Sequence, residues 1–182
     1  MRLKGVAAIL GIPEAERDVD DAIVPLLARV CKRLSSGRYI VVVVDDPFAV
    51  AAIEHGEIID FVCSTEAGAF SLRTCGELPT ADFAKMAFPD PDGWERRILT
   101  EGGLYSYLST DDISEALKKD PFIVEAMAYQ MSKEVWAMAT VFCGNFNEIV
   151  LLGGLLKDDS FFKMLTKRLT PLGKNILHLE VV

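Results

Sequence analysis

The apolar positions of this chain repeat with two different periods, and the switches between them predict its elements. Residues 13 to 36 read as helix: Pro13 suits a first turn, Glu14 and Glu16 suit its positive end, and Ser35-Ser36-Gly37 ends the run. Pro25 falls inside that stretch and predicts a break or kink. Tyr39-Ile40-Val41-Val42-Val43-Val44 then runs β-branched and apolar on both faces, between Gly37 and Asp45-Asp46-Pro47. That pattern predicts a central buried strand. Phe48 to Ile53 predicts a second strand, Glu54-His55-Gly56-Glu57 a hairpin turn, and Ile58 to Val62 a third strand.

Residues 64 to 78 read as a loop with flexible points at Gly68 and Gly76. Pro79 to Phe88 predicts a short helix, and Pro89-Asp90-Pro91-Asp92-Gly93 a break. Trp94 to Thr100 predicts another helix, ended by Gly102-Gly103. Ser109-Thr110-Asp111-Asp112 opens a further one, with Glu115 near N3 as in a capping box. Pro121 to Phe142 is the longest helix. Its Ile123, Ala126, Met127, Met131, Val135, Met138, Ala139 and Phe142 recur at helical spacing, so one face packs. Glu148 to Leu152 predicts a strand, Ser160 to Leu169 a helix, and Ile176 to Val182 a last strand. With no linker and no repeat, the expectation is a single α/β domain over residues 1–182: three meandering strands, helices, then β-α-β.

Composition supports a folded chain. Of 182 residues, 51% are hydrophobic and 25% charged, enough apolar surface to offset chain entropy. A formal net charge of −8 argues against nucleic acid or an anionic membrane as a general partner. The apolar run before Gly11-Ile12-Pro13 is too short for an export signal, and no stretch of about 18 apolar residues predicts a membrane span. Cys31, Cys63, Cys75 and Cys143 form no CxxC pair, so reduced thiols in a cytoplasmic protein are expected. A catalytic cysteine is the rival reading, and nothing nearby in sequence would depress a thiol pKa. His55 in a turn and His178 on the last strand lack an acidic neighbour for general-base work. Trp94 and Trp136 read as packing anchors.

The chemistry-bearing segment is Ile149-Val150-Leu151-Leu152-Gly153-Gly154-Leu155-Leu156. Two glycines at a strand's carboxyl end let a ligand approach the backbone, where open α/β sheets bind ligands. A tight turn is the plain alternative. Together with Gly102-Gly103-Leu104, Tyr107 to Asp112, Glu125-Ala126-Met127-Ala128-Tyr129-Gln130 and Lys133-Glu134, this segment resembles the C-terminal half of butyrate kinase. That enzyme belongs to the acetate/butyrate kinase branch of the sugar kinase, Hsp70 and actin superfamily. The likeness is strongest over residues 100 to 156 and continues upstream through Gly68-Ala69-Phe70-Ser71 to Gly11-Ile12-Pro13-Glu14. It implies an actin-like, ribonuclease H-like ATPase domain and an ATP-dependent transfer of phosphate to a short carboxylate.

The resemblance also implies roles for residues. Gly153, Gly154 and Leu155, with Asp112 and Thr110, would form the adenosine side of a site for ATP or ADP with Mg. Asp45-Asp46-Pro47 stands where the family carries a glycine-rich phosphate loop. Two negative charges and a missing N–H there have the wrong sign for an anion. A metal bridging Asp45 and Asp46 is the rival reading, and no dedicated metal site is expected. The family's helical His falls at Ala22, its loop Arg at Thr74, and the Arg beside Asp112 at Ser114. Arg73, one residue early, is the catalytic candidate, against the reading of a surface arginine. The family's N-terminal domain and closing helix have no counterpart in this sequence. The expectation is therefore a domain non-catalytic by itself, acting in assembly or as a vestigial nucleotide-binding module. The alternative is an acyl kinase subunit whose other lobe comes from a partner chain. A homo-oligomer or such a partner is implied, with the long Ala/Met helix as an association face.

Overall fold

The computed structural model describes residues 23–65, 67–77 and 91–180. The expected helices before residue 23 and over 79–88 lie outside these residues, in whole or in part, as do Ala22 and the last two valines.

Strands β1 (Arg38–Val43), β2 (Ala49–Glu54), β3 (Glu57–Cys63), β4 (Glu148–Leu152) and β5 (Asn175–His178) form one mixed sheet in the order β3-β2-β1-β4-β5. The first three meander antiparallel, while β1–β4 and β4–β5 pair in parallel. Strand β1 is central and buried on both faces, which its continuous β-branched run predicts. Alternation sends Ile40, Val42 and Val44 to one face and Val41 and Val43 to the other.

The second face is covered by α1 (Ile23–Arg33), which contributes Ile23, Leu27 and Val30. This helix runs on unbroken from Pro25 to Arg33, so the expected break does not occur among the described residues. The first face carries the larger core. Against it lie α3 (Gly103–Leu108), α4 (Ile113–Lys119), α5 (Pro121–Ala139) and α6 (Asp159–Leu169), which supply buried core residues, while α2 (Pro91–Thr100) accepts the Cys75 N–H through the Ile98 carbonyl. Helix α5 buries Val124, Met127, Ala128, Met131, Val135 and Met138 along one stripe. Each of the valine and methionine side chains contributes roughly 1.5–3 kcal/mol from burial, as an upper bound. Trp136 is 43% exposed and not a buried anchor; its indole N–H donates to the Arg168 carbonyl at 3.1 Å, tying α5 to α6.

One helix boundary differs from expectation. Helix α2 starts at Pro91, inside the segment expected to be a break, because proline in a first turn lacks only an N–H that has no helical partner. The helix ends at Thr100 before Gly102-Gly103, as expected, and the same pair opens α3 with Gly102 as its N-cap. Gly103 adopts φ +53, and a Cβ there would stand 2.2 Å from the Ser71 carbonyl oxygen. A close approach of the 71–74 loop, invisible to local pattern, decides that glycine. Strand β5 ends at His178 and is shorter than expected, although Leu179 N–H still donates to the Leu151 carbonyl.

A candidate nucleotide cleft at the ends of β1 and β4

Strands β1 and β4 run parallel and end together, with Val43 opposite Leu152 and Val44 N–H donating to the Leu152 carbonyl at 2.7 Å. Just beyond them the chain turns through Asp45 on one side and Gly153-Gly154 on the other. Gly153 sits at φ +129, and a Cβ there would lie 2.3 Å from the Val44 carbonyl oxygen. Only glycine fits without a backbone shift. Gly154 has ordinary backbone angles; its part is the amide, which donates to Asp45 Oδ2 at 2.9 Å. Asp45 Oδ1 accepts the Asp46 N–H at 3.0 Å, so backbone donors hold both carboxylate oxygens.

A cleft of about 380 Å³ opens here, lined by Asp45, Leu72, Asp111, Asp112, Ile113, Ser114, Gly154, Leu155, Lys157 and Asp158. That volume lies in the usual range for small-molecule sites, about 300–1,000 Å³. Asp112 is present as the N-cap of α4, accepting Glu115 N–H at 2.7 Å. The capping box is completed differently from the standard form. Thr110 Oγ1 donates to the Glu115 carboxylate at 2.7 Å, and Glu115 is held below the ordinary glutamate range first by its hydrogen bond to Lys119 and then by Thr110. Asp158 caps α6 through Ser160 and Phe161 amides, and accepts the Ser114 hydroxyl at 3.1 Å. Two helix starts and two strand ends therefore converge on one opening.

Of the residues singled out by sequence, Asp45, Asp112, Gly154 and Leu155 line this cleft. Gly153 precedes the lining residue Gly154 and packs against the Val44 backbone, and Thr110 is buried beside the cap of α4. Asp46 and Pro47 turn away into a polar cluster. Asp46 Oδ1 accepts the Ser71 hydroxyl and, at 3.3 Å, the Thr74 N–H, with Thr74 Oγ1 also 3.3 Å away; the peptide before Pro47 is cis. Ser71 and Ser64 each share a 2.6 Å hydrogen bond with Thr74 Oγ1, and Ser64 accepts the Phe48 N–H. Sequence reading missed this cluster, as it missed Ser114 with Asp158: isolated serines and threonines in a loop carry no spacing that announces a partner. Arg73 donates to Asp111 at 2.7 Å and to the Thr100 carbonyl at 3.0 Å, and stacks on Tyr105 with its guanidinium 4.4 Å from the ring. Its pKa is raised, chiefly by the Asp111 hydrogen bond.

The donor set can be compared with a nucleotide. Leu72, Ile113 and Leu155 provide apolar wall, and the carboxylates accept from hydroxyl and amino donors, which suits a nucleoside. The same carboxylates do not suit phosphate oxygens, which are acceptors and anions. Among the described residues, no group of three or more His, Cys, Asp and Glu is arranged to hold a metal ion. Burial pushes the Cys31 and Cys75 thiols up, opposite to what a nucleophilic thiolate requires. Among the described residues no helix is long and apolar enough to cross a membrane.

The fold is shared with solved acetate and propionate kinase structures. A propionate kinase from Francisella tularensis superposes with a TM-score of 0.70 at 15% identity, over 88% of this chain and 50% of that one. Porphyromonas gingivalis acetate kinase gives 0.68 at 15% identity, over 85% and 49%. The molecule is thus a mixed α/β domain with the fold seen in these acetate and propionate kinase structures. In sequence it is similar to the butyrate kinases: 31% identical over 184 residues to a probable butyrate kinase of Thermotoga petrophila, and 32% over 187 residues to one of Oceanobacillus iheyensis. Each alignment takes in 92% of this chain and 52% of the relative, so the chain spans about half the length of the curated relatives it matches. No family model matches it.

Proposed function

We propose that this chain is the nucleotide-side domain of an acyl-kinase-like protein, that it holds an adenosine group in the Asp45–Gly154 cleft, and that it does not transfer phosphate by itself. The observation that carries the reading is the convergence of Gly154, Leu155, Asp112 and Ser114 at the carboxyl ends of parallel β1 and β4. Ligands of open α/β sheets sit there. The non-catalytic part rests on Asp45 and Asp46, whose carboxylates occupy backbone and hydroxyl donors at the position expected to meet phosphate. In this reading the domain acts in assembly or as a nucleotide-binding module, and Arg73 serves to hold the 71–74 loop through Asp111. Titration calorimetry of the chain with adenosine and with ADP is the test. Saturable binding of adenosine is expected, and no heat with either ligand at millimolar concentration would sink the proposal.

A second reading has one observation behind it: the relatives are about twice as long as the stretch they share with this chain. A lobe supplied by another polypeptide would then complete an acyl kinase using ATP, Mg and a short-chain carboxylate. Hydroxylamine trapping of acyl phosphate from ATP and butyrate, with candidate partner proteins present, decides it. Turnover would replace the non-catalytic reading.

A further inference from the structure

We propose that Asp45 makes this cleft select an uncharged nucleoside over its phosphorylated forms. The inference rests on the adenosine reading above and adds the charge of the ligand. Three observations carry it. First, the Gly154 amide, the backbone donor at the end of β4, is already held by Asp45 Oδ2 at 2.9 Å. The carboxylate is fixed in turn by the Asp46 N–H, so it cannot swing aside without losing two bonds. A phosphate seeking that amide meets an anion in its place. Second, the neighbouring donors Ser71 Oγ and Thr74 N–H are held by Asp46. Third, the lining carries four carboxylates, Asp45, Asp111, Asp112 and Asp158, against Lys157 as the lining cation. Arg73 offsets Asp111 from outside the lining, and Lys157 offsets one more; the remainder is negative.

Like charges a few ångströms apart at a wet surface cost enough to change affinity several-fold per charge. A nucleoside escapes that cost. It is neutral, its ribose hydroxyls and amino group are donors for carboxylate acceptors, and its base has Leu72, Ile113 and Leu155 as apolar wall. Asp45 is thus a specificity residue acting by charge and by pre-emption of one amide.

The experiment is calorimetric titration of the whole chain with adenosine, AMP and ADP in EDTA, for wild type and Asp45→Asn. Asparagine keeps an acceptor for the Gly154 amide and removes the charge. Adenosine is expected to bind the wild type about tenfold more tightly than ADP, with AMP between. In Asp45→Asn the gap narrows by several-fold as ADP affinity rises relative to adenosine. Raising salt on the wild type is a second arm independent of any variant, and it should narrow the same gap. ADP binding as tightly as adenosine to wild type overturns the proposal and leaves the adenosine reading standing. A gap unmoved by both salt and a folded Asp45→Asn does the same. Absence of adenosine binding removes both.

Discussion

The Gly154 amide donates to the Asp45 carboxylate across 2.9 Å, joining residues 109 positions apart at the paired ends of β1 and β4. Behind it, Leu155 N–H approaches the Val44 carbonyl at 3.4 Å and Val44 N–H reaches Leu152. The cleft is therefore an extension of the sheet, and its shape depends on how closely two strand ends approach.

Gly153 controls that approach, so Gly153→Ala should lower stability by roughly 2–4 kcal/mol. The estimate combines strain at φ +129 with a Cβ 2.3 Å from the Val44 oxygen. Gly173→Ala is the control: φ is +66, but no atom lies within 4 Å of the added Cβ. It should cost only about 1–2 kcal/mol. Urea midpoints measure both, and equal losses would contradict the account.

Asp46 should matter more to folding than to any ligand. Its removal takes the carboxylate acceptor from the Ser71 hydroxyl and the Thr74 N–H, in residues 0% and 4% exposed. Asp46→Ala is expected to cost about 2–3 kcal/mol and Asp46→Asn clearly less, since an amide oxygen can still accept. Thermal melts should show the alanine variant about 5–10 °C below wild type. A melt unchanged by alanine would mean the cluster is not built on that carboxylate.

Glu134 predicts an unusual pH dependence. Its carboxyl is pushed above the ordinary glutamate range, first by burial and then by Glu77, against a small opposing effect of Lys133. The folded state therefore holds a proton that the unfolded chain has released. Stability from this group is present below the unfolded pKa and declines as pH rises through the folded value. Glu134→Gln should flatten stability against pH just above the ordinary glutamate range and leave higher pH equal or slightly better. A variant with the wild-type slope there would refute the assignment.

The stripe on α5 provides the last prediction. Met131 is fully buried, and Met131→Ala should cost about 2–4 kcal/mol. Phe122, at the start of the same helix, is 72% exposed, and Phe122→Ala should change stability by less than about 0.5 kcal/mol. Chemical denaturation of the pair separates packing from mere hydrophobicity. A loss at Phe122 as large as at Met131 would indicate that its surface is covered in solution.

Burial periodicity was legible in the residues themselves. The unbroken Tyr39–Val44 run reads as a strand covered on both faces, and the Met and Val spacing after Pro121 as a helix with one packed side, and both form so. Asp112 as a cap followed from Glu115 three positions on. Local sequence encodes these because they depend on neighbours within a turn or two. The Gly153-Gly154 pair marked the place of the cleft, but not why each glycine is there. One is required by the Val44 carbonyl and the other presents its amide to Asp45, and both facts arise from strand pairing across the molecule. The tertiary structure alone brought Ser114 to Asp158, Arg73 to Asp111, and Ser64, Ser71 and Thr74 around Asp46. Single polar side chains in loops have no periodicity to betray their partners; those partners are chosen by the order of strands in the sheet.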